Sequence, residues 1–242
     1  MDRNSPSGAH YTTAKYIKFV ENIDDTKFKD YMAGEIKYLK NIEGVDKKVF
    51  VDLGAGYGRI EGDLAKIGCK VIAIENNRDM FKELKRRCLM NTNTEAVFGD
   101  VNQLDKMLAN KNIKNPIFLI MQNTLGIFND RDERIPKLFL TQLKKVAESL
   151  KGEVLISVFK GEKLSSYGVN FYAKLEPMVG RIDVRATEKT NKVKNPAFVS
   201  ETGYVSNWYT SYELSEIKEI LGGRIKNQFQ EGIYRILHIS YE

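Results

Sequence analysis

The sequence predicts an α/β protein: a doubly wound, mostly parallel seven-stranded sheet that finishes in an antiparallel hairpin. Three observations carry this. From Lys48 onward short apolar runs alternate with longer amphipathic ones, the signature of strands covered on both faces by helices. The first of these runs opens into a glycine-rich loop. The last two strand-like runs are separated by only Glu231-Gly232, a connection that joins antiparallel neighbours. Of 242 residues 42% are hydrophobic and 29% charged, enough for a packed core and incompatible with wholesale disorder or a fibrous chain. No internal repeat or low-complexity linker interrupts it.

The elements follow in order. Residues 1–8 read as a tail, after which Phe28, Tyr31, Met32, Ile36 and Leu39 recur at helical spacing. We take residues 1–44 as a helical N-terminal lid and 45–242 as the main domain. Val49–Leu53, Lys70–Ile74, Glu95–Phe98, Pro116–Met121 and Glu153–Phe159 are strand-like. Helical stretches lie between them near 58–67, 77–91, 101–110 and 132–150. In the last of these, Phe139, Leu143, Val146 and Leu150 form one stripe, and Gly152 supplies a stop. Between about 160 and 209 the alternation gives way to a short helix and strand-like pieces at Arg181–Thr187 and Ala197–Val205, an inserted acceptor-side subdomain. Thr210-Ser211-Tyr212-Glu213 is a capping box ahead of Leu214, Ile217, Ile220 and Leu221, and Gly222-Gly223 ends that helix. Arg224–Gln230 and Ile233–Tyr241 make the hairpin.

Two cysteines, Cys69 and Cys88, exclude a disulfide framework or a Cys-rich zinc module, and no metal site is expected. No apolar run reaches the roughly 18 residues a membrane span needs, and the first residues lack the apolar segment of a signal peptide. The expected location is the cytoplasm. The formal charge is +6, and between Lys160 and Pro196 eight basic residues face four acidic ones. Such a segment suits RNA, an acidic substrate, or an ordinary solvated surface.

The chemistry concentrates in Val49-Phe-Val-Asp52-Leu-Gly54-Ala-Gly56-Tyr-Gly58-Arg59-Ile60, a buried strand running into a glycine loop and a helix. A loop of this kind lets backbone amides approach a ligand closely. Its Gly-x-Gly-x-Gly spacing departs from the dinucleotide fingerprint, because Arg59 stands where the third glycine belongs. Asp52 would repel a pyrophosphate and attract an ammonium group. A second strand ends in Glu75, 23 residues after Asp52, and a third in Phe98-Gly99-Asp100-Val101.

These three segments, in this order and spacing, resemble the class I S-adenosylmethionine-dependent methyltransferases of small molecules, and the resemblance is strongest over residues 45–160. It implies a Rossmann-like fold and S-adenosylmethionine as cofactor. By resemblance, Asp52, Gly54, Gly56 and Gly58 hold the methionine part, Glu75 the ribose hydroxyls, Asp100 the adenine amino group, and Val101 the ring. Asn76, where the family often has an apolar residue, and Gln122 at the end of the fourth strand complete the cofactor set. Taken singly, Glu75 and Asp100 also suit helix caps.

The fourth strand ends Met121-Gln122-Asn123-Thr124-Leu125, at the sheet edge where ligands bind in open α/β folds. It lacks the Asp/Asn-Pro-Pro-aromatic motif of the amino-methylating DNA and RNA enzymes. Asn123 has two roles open to it, orienting a ligand or holding a turn. Tyr11, Tyr172, Trp208 and Arg181 are the other acceptor-side candidates. Aromatic side chains there would hold an amine by cation–π attraction, and Arg181 and Arg185 would favour a carboxylate or phosphate. The expected acceptor is a small molecule, an amine or an amino-acid-like metabolite. The rivals are a methyltransferase of RNA or protein and a non-catalytic subunit that binds S-adenosylmethionine. His238, in the last strand, reads as structural, and His10 as part of the tail.

Overall fold

The computed structural model describes residues 13–128, 134–175, 182–183, 196–200 and 205–242. Tyr11, Arg181, Arg185 and His10 lie outside the described residues. The chain opens with α1 (Thr13–Asn22) and α2 (Thr26–Lys40) and continues through β1 (Val49–Leu53), α3 (Glu61–Lys66), β2 (Lys70–Glu75), α4 (Arg78–Cys88) and β3 (Thr94–Phe98). Next come α5 (Leu104–Leu108), β4 (Ile117–Ile120), α6 (Lys137–Ser149), β5 (Glu153–Phe159) and α7 (Val169–Ala173). Three short strands follow, β6 (Ile182–Asp183), β7 (Ala197–Ser200) and β8 (Val205–Asn207), before α8 (Ser211–Leu221), β9 (Arg224–Glu231) and β10 (Tyr234–Ser240).

The main sheet has seven strands in the order β3-β2-β1-β4-β5-β10-β9. β1 to β5 pair in parallel, and β10 runs antiparallel between β5 and β9. Order reverses beside β1, which places the carboxyl ends of β1 and β4 at the switch point where α/β sheets bind ligands. Neighbouring strand residues face opposite ways, so Phe50 and Leu119 join the layer containing Phe28, Tyr31 and Leu39 of α2. Val51 and Ile120 join the opposite layer, with Leu104 of α5, Phe139 and Leu143 of α6 and Ile217 of α8.

Local chemistry explains where the elements stop. The loop after β1 runs through Gly54, Gly56 and Gly58, all at positive φ, so α3 begins only at Glu61, later than the helical pattern near 58 predicts. Pro136 precedes α6, and its fixed φ and missing N–H suit the start of a helix and not its interior. Asn77 caps α4 by accepting from Asp79 and Met80 N–H groups at 3.0 and 3.1 Å. The Thr210–Glu213 capping box is formed in full. The run Ala197–Val205 is two strands instead of one: β7 pairs with β6 and β8 in a separate antiparallel sheet. A parallel bridge from Lys160 to Tyr209 ties this insertion to the end of β5.

The N-terminal region divides in two. α2 is a core element: Tyr31 is fully buried and stacks on Tyr234 of β10 with ring centres 4.7 Å apart. α1 reaches the functional cavity through Thr13, Tyr16, Phe19 and Val20. No helix among the described residues is long and apolar enough to cross a membrane.

Candidate functional site

A cavity opens at the carboxyl ends of β1, β2, β4 and β5, roofed by α1 and α7. One end is polar, with Asp52, Gly54, Gly56, Arg59, Glu75 and Asn76 on its wall; the other is formed by Phe19, Phe28, Phe159, Phe171, Tyr172 and Ser206. Tyr16 also lines the cavity, edge-on to Tyr57 at 6.2 Å and within the electrostatic reach of Arg59 and Glu75.

At the polar end, Glu75 braces the glycine loop. Its Oε2 accepts the Gly56 N–H at 2.8 Å and its Oε1 the Asn77 N–H at 2.7 Å. Burial raises its pKa, and those amides pull the other way. Gly54 is held at φ +77°, and a side chain there would strike Thr124 Cγ2 at 2.7 Å, whereas Gly56 faces open space. The loop is thus pressed against the β4 edge at one glycine and open to a ligand at the next.

Behind the loop lies a pair of acids. Asp52 and Glu61 are both buried, and burial together with the like charge of Glu61 holds the Asp52 carboxyl well above the usual carboxylate range. Glu61 is raised too, chiefly by burial. Two neighbouring buried acids cannot both ionise cheaply. Glu61 Oε2 accepts the Ile60 N–H at 3.1 Å, while its Oε1 is a buried acceptor with no donor among the described residues.

A second buried pair fixes the opposite wall. Glu35 of α2, fully buried, receives the Arg59 guanidinium on one oxygen and the Gln122 N–H on the other at 2.7 Å. Burial works to lower the Arg59 pKa, but the attraction and hydrogen bond of Glu35, joined by Tyr31 and Tyr57, together raise it. One carboxylate therefore joins α2, the glycine loop and the β4 edge. That edge is itself strained, with Gln122 and Asn123 at φ +50° and +58°, a conformation that costs non-glycine residues energy and recurs at ligand sites.

Asn123 holds the turn by spending all its polar atoms within the protein. Its Nδ2 donates to Ser206 Oγ and the Asn207 carbonyl, both at 3.1 Å, and its Oδ1 accepts the Phe159 N–H at 3.0 Å. Tyr172 lines the cavity, but Trp208 lies behind the wall, stacked on Phe159 at 4.4 Å and donating Nε1–H to the Tyr172 hydroxyl at 2.9 Å. Gly58 also lies off the lining; a side chain there would meet Leu84 of α4 at 2.9 Å, so this glycine serves helix packing. Asp100 caps the next turn by accepting the Asn102 N–H at 2.9 Å, and neither it nor the buried Val101 lines the cavity.

Sequence reasoning missed Glu35, Glu61 and Ser206, and read Arg59 only as a missing glycine. A signal existed for Glu35: it falls on the same helical stripe as Tyr31 and Leu39, where a charge has no business unless paired. Glu61 reads as an ordinary acid in a helix's first turn. Ser206 carries no signal, since its partners stand 34 and 83 residues away.

No protein-family model matches the chain, and no curated protein sequence matches it. Solved structures do. An S-adenosylmethionine-dependent methyltransferase from Aquifex aeolicus superposes with TM-score 0.56 at 17% identity, covering 96% of this chain and 100% of that one. Magnesium protoporphyrin IX methyltransferase from Synechocystis, solved with bound S-adenosylhomocysteine, gives 0.57 at 14% identity over 95% and 94% of the two chains. The 1,6-didemethyltoxoflavin N1-methyltransferase of Burkholderia thailandensis gives 0.51 at 12% identity over 95% and 90%. The strand order, the hairpin and these superpositions together establish that the chain has the class I methyltransferase fold.

Proposed function

We propose that this protein transfers a methyl group from S-adenosylmethionine to a small-molecule acceptor. The observation that carries the reading is the convergence of Asp52, Gly54, Gly56 and Glu75 on one wall of a cavity whose other wall is aromatic. The polar end fits the cofactor. An ammonium group would supply the positive charge that the Asp52–Glu61 pair lacks, and Glu75 offers a carboxylate for paired hydroxyls while Gly56 leaves room for close approach. When bound, the cofactor supplies an electrophilic methyl group on a sulfonium.

The chain's own task is positioning, because in-line displacement needs the acceptor atom aligned and a general base only where a proton must leave. Glu35 sets the geometry by locking Arg59 and the strained Gln122-Asn123 turn together. Phe159, Phe171 and Tyr172 exclude water from the acceptor end. The solved relatives support a small acceptor, since the named substrates of two of them are ring compounds.

The test is a titration with S-adenosylmethionine. The intact protein is expected to bind it saturably, and Asp52→Ala to lose at least tenfold in affinity, as removal of a charged partner does. Unchanged affinity in that variant would remove the glycine loop from the account.

A further inference from the structure

We infer that the acceptor is an uncharged ring compound bearing a lone pair, read by the hydroxyls of Tyr172 and Ser206; this deepens the methyl-transfer reading and rests on it. The argument is a count of hydrogens. The Tyr172 oxygen already receives Trp208 Nε1–H at 2.9 Å, and Ser206 Oγ receives Asn123 Nδ2–H at 3.1 Å. The Asn123 amide cannot be turned over, because its oxygen takes the Phe159 N–H. The two hydroxyls lie 2.8 Å apart, so one hydroxyl hydrogen fills the space between them. Whichever way that bond points, the other hydrogen has no acceptor among the described residues.

Both side chains line the cavity, and they are 2% and 1% exposed. A buried donor left unpaired is unfavourable, so the site is built for a ligand that returns a lone pair. An ammonium group has none to give. Among the described residues no charged side chain lies at this aromatic end: the charged lining residues are Asp52, Arg59, Glu75 and Asp79, on β1, the loop, β2 and α4. The surrounding rings, with Phe171 4.9 Å from Phe28 and 5.3 Å from Tyr172, suit the face or edge of a flat ring. A carbonyl or ring nitrogen on such a molecule meets the description.

Trp208, the single tryptophan, touches the Tyr172 hydroxyl and reports binding by its fluorescence. The protein is loaded with S-adenosylhomocysteine and titrated with 4-quinolone, naphthalene and phenethylamine. We expect 4-quinolone to bind at least tenfold tighter than either of the others. Tyr172→Phe combined with Ser206→Ala removes both hydroxyls and is expected to bind 4-quinolone and naphthalene alike, its retained naphthalene binding showing that the pocket is intact. Tightest binding of phenethylamine to the unaltered protein, or of naphthalene and 4-quinolone equally, overturns the inference. So does a preference for 4-quinolone that survives in the double variant. Failure to bind S-adenosylhomocysteine at all overturns the proposed function itself, which keeps the two failures apart.

Discussion

Burial holds the Asp52 and Glu61 carboxyls behind the glycine loop above the ordinary carboxylate range, and a cation arriving at Asp52 would favour its ionised form. Binding of S-adenosylmethionine near neutral pH is therefore expected to release protons. Calorimetry in two buffers of different ionisation enthalpy measures this directly, and Glu61→Gln, which lets Asp52 ionise alone, should diminish the release. Equal heats in both buffers would contradict the arrangement. Arg59 carries a different prediction. Arg59→Ala leaves the fully buried Glu35 carboxylate without its cation, and breaking one side of such a pair costs about 3–5 kcal/mol. Denaturant unfolding should show that loss, and Glu35→Gln in the same background should recover part of it. At this scale the sequence discloses Asp52 and Glu75, because motif spacing exposes them. It hides the pairs that tune them, because Glu35 reaches Gln122 across 87 positions of chain.

The elements couple through buried charge as well as through packing. Glu153 opens β5, 1% exposed, and gathers Lys48, Lys226 of β9 and His238 of β10, the last at 2.6 Å. Burial alone would raise its pKa, but hydrogen bonds from Lys226 and Lys48 and the close contact of His238 bring it to about 2. A folded value below the unfolded one stabilises the fold above the ordinary carboxylate range and loses that contribution as pH falls toward 2. The expected outcome is a steep drop in the thermal midpoint between about pH 4.5 and 2, flattened in Glu153→Gln. Asp52, Glu61 and Glu75 have the opposite sign: raised when folded, they cost stability as pH climbs past their unfolded values. An unaltered slope in the Glu153 variant would contradict its role as the clamp of the hairpin. The hairpin itself was legible, since its two-residue connection is local. The clamp was not, because nothing in Glu153 distinguishes it from other strand-end acids.

Across the whole molecule, the sequence discloses a parallel sheet, from strands alternating with crossover helices, and an antiparallel closing pair, from its short turn; the strand order comes from the structure. The insertion was harder to read. Its short strands pair with each other and carry no long periodic pattern, and the chain around them packs against the aromatic end of the cavity through contacts such as Tyr172 with Phe198 at 3.8 Å. The cofactor end was therefore visible as a motif and the acceptor end only as a surplus of aromatic residues. Transfer of a labelled methyl group tests the central claim most directly. The protein and labelled S-adenosylmethionine are incubated with a cell lysate from the source organism and passed through a size-exclusion filter. Label in the small-molecule filtrate, absent with Asp52→Ala, is the predicted result; label held back and released only by nuclease or protease, or no transfer at all, would contradict it.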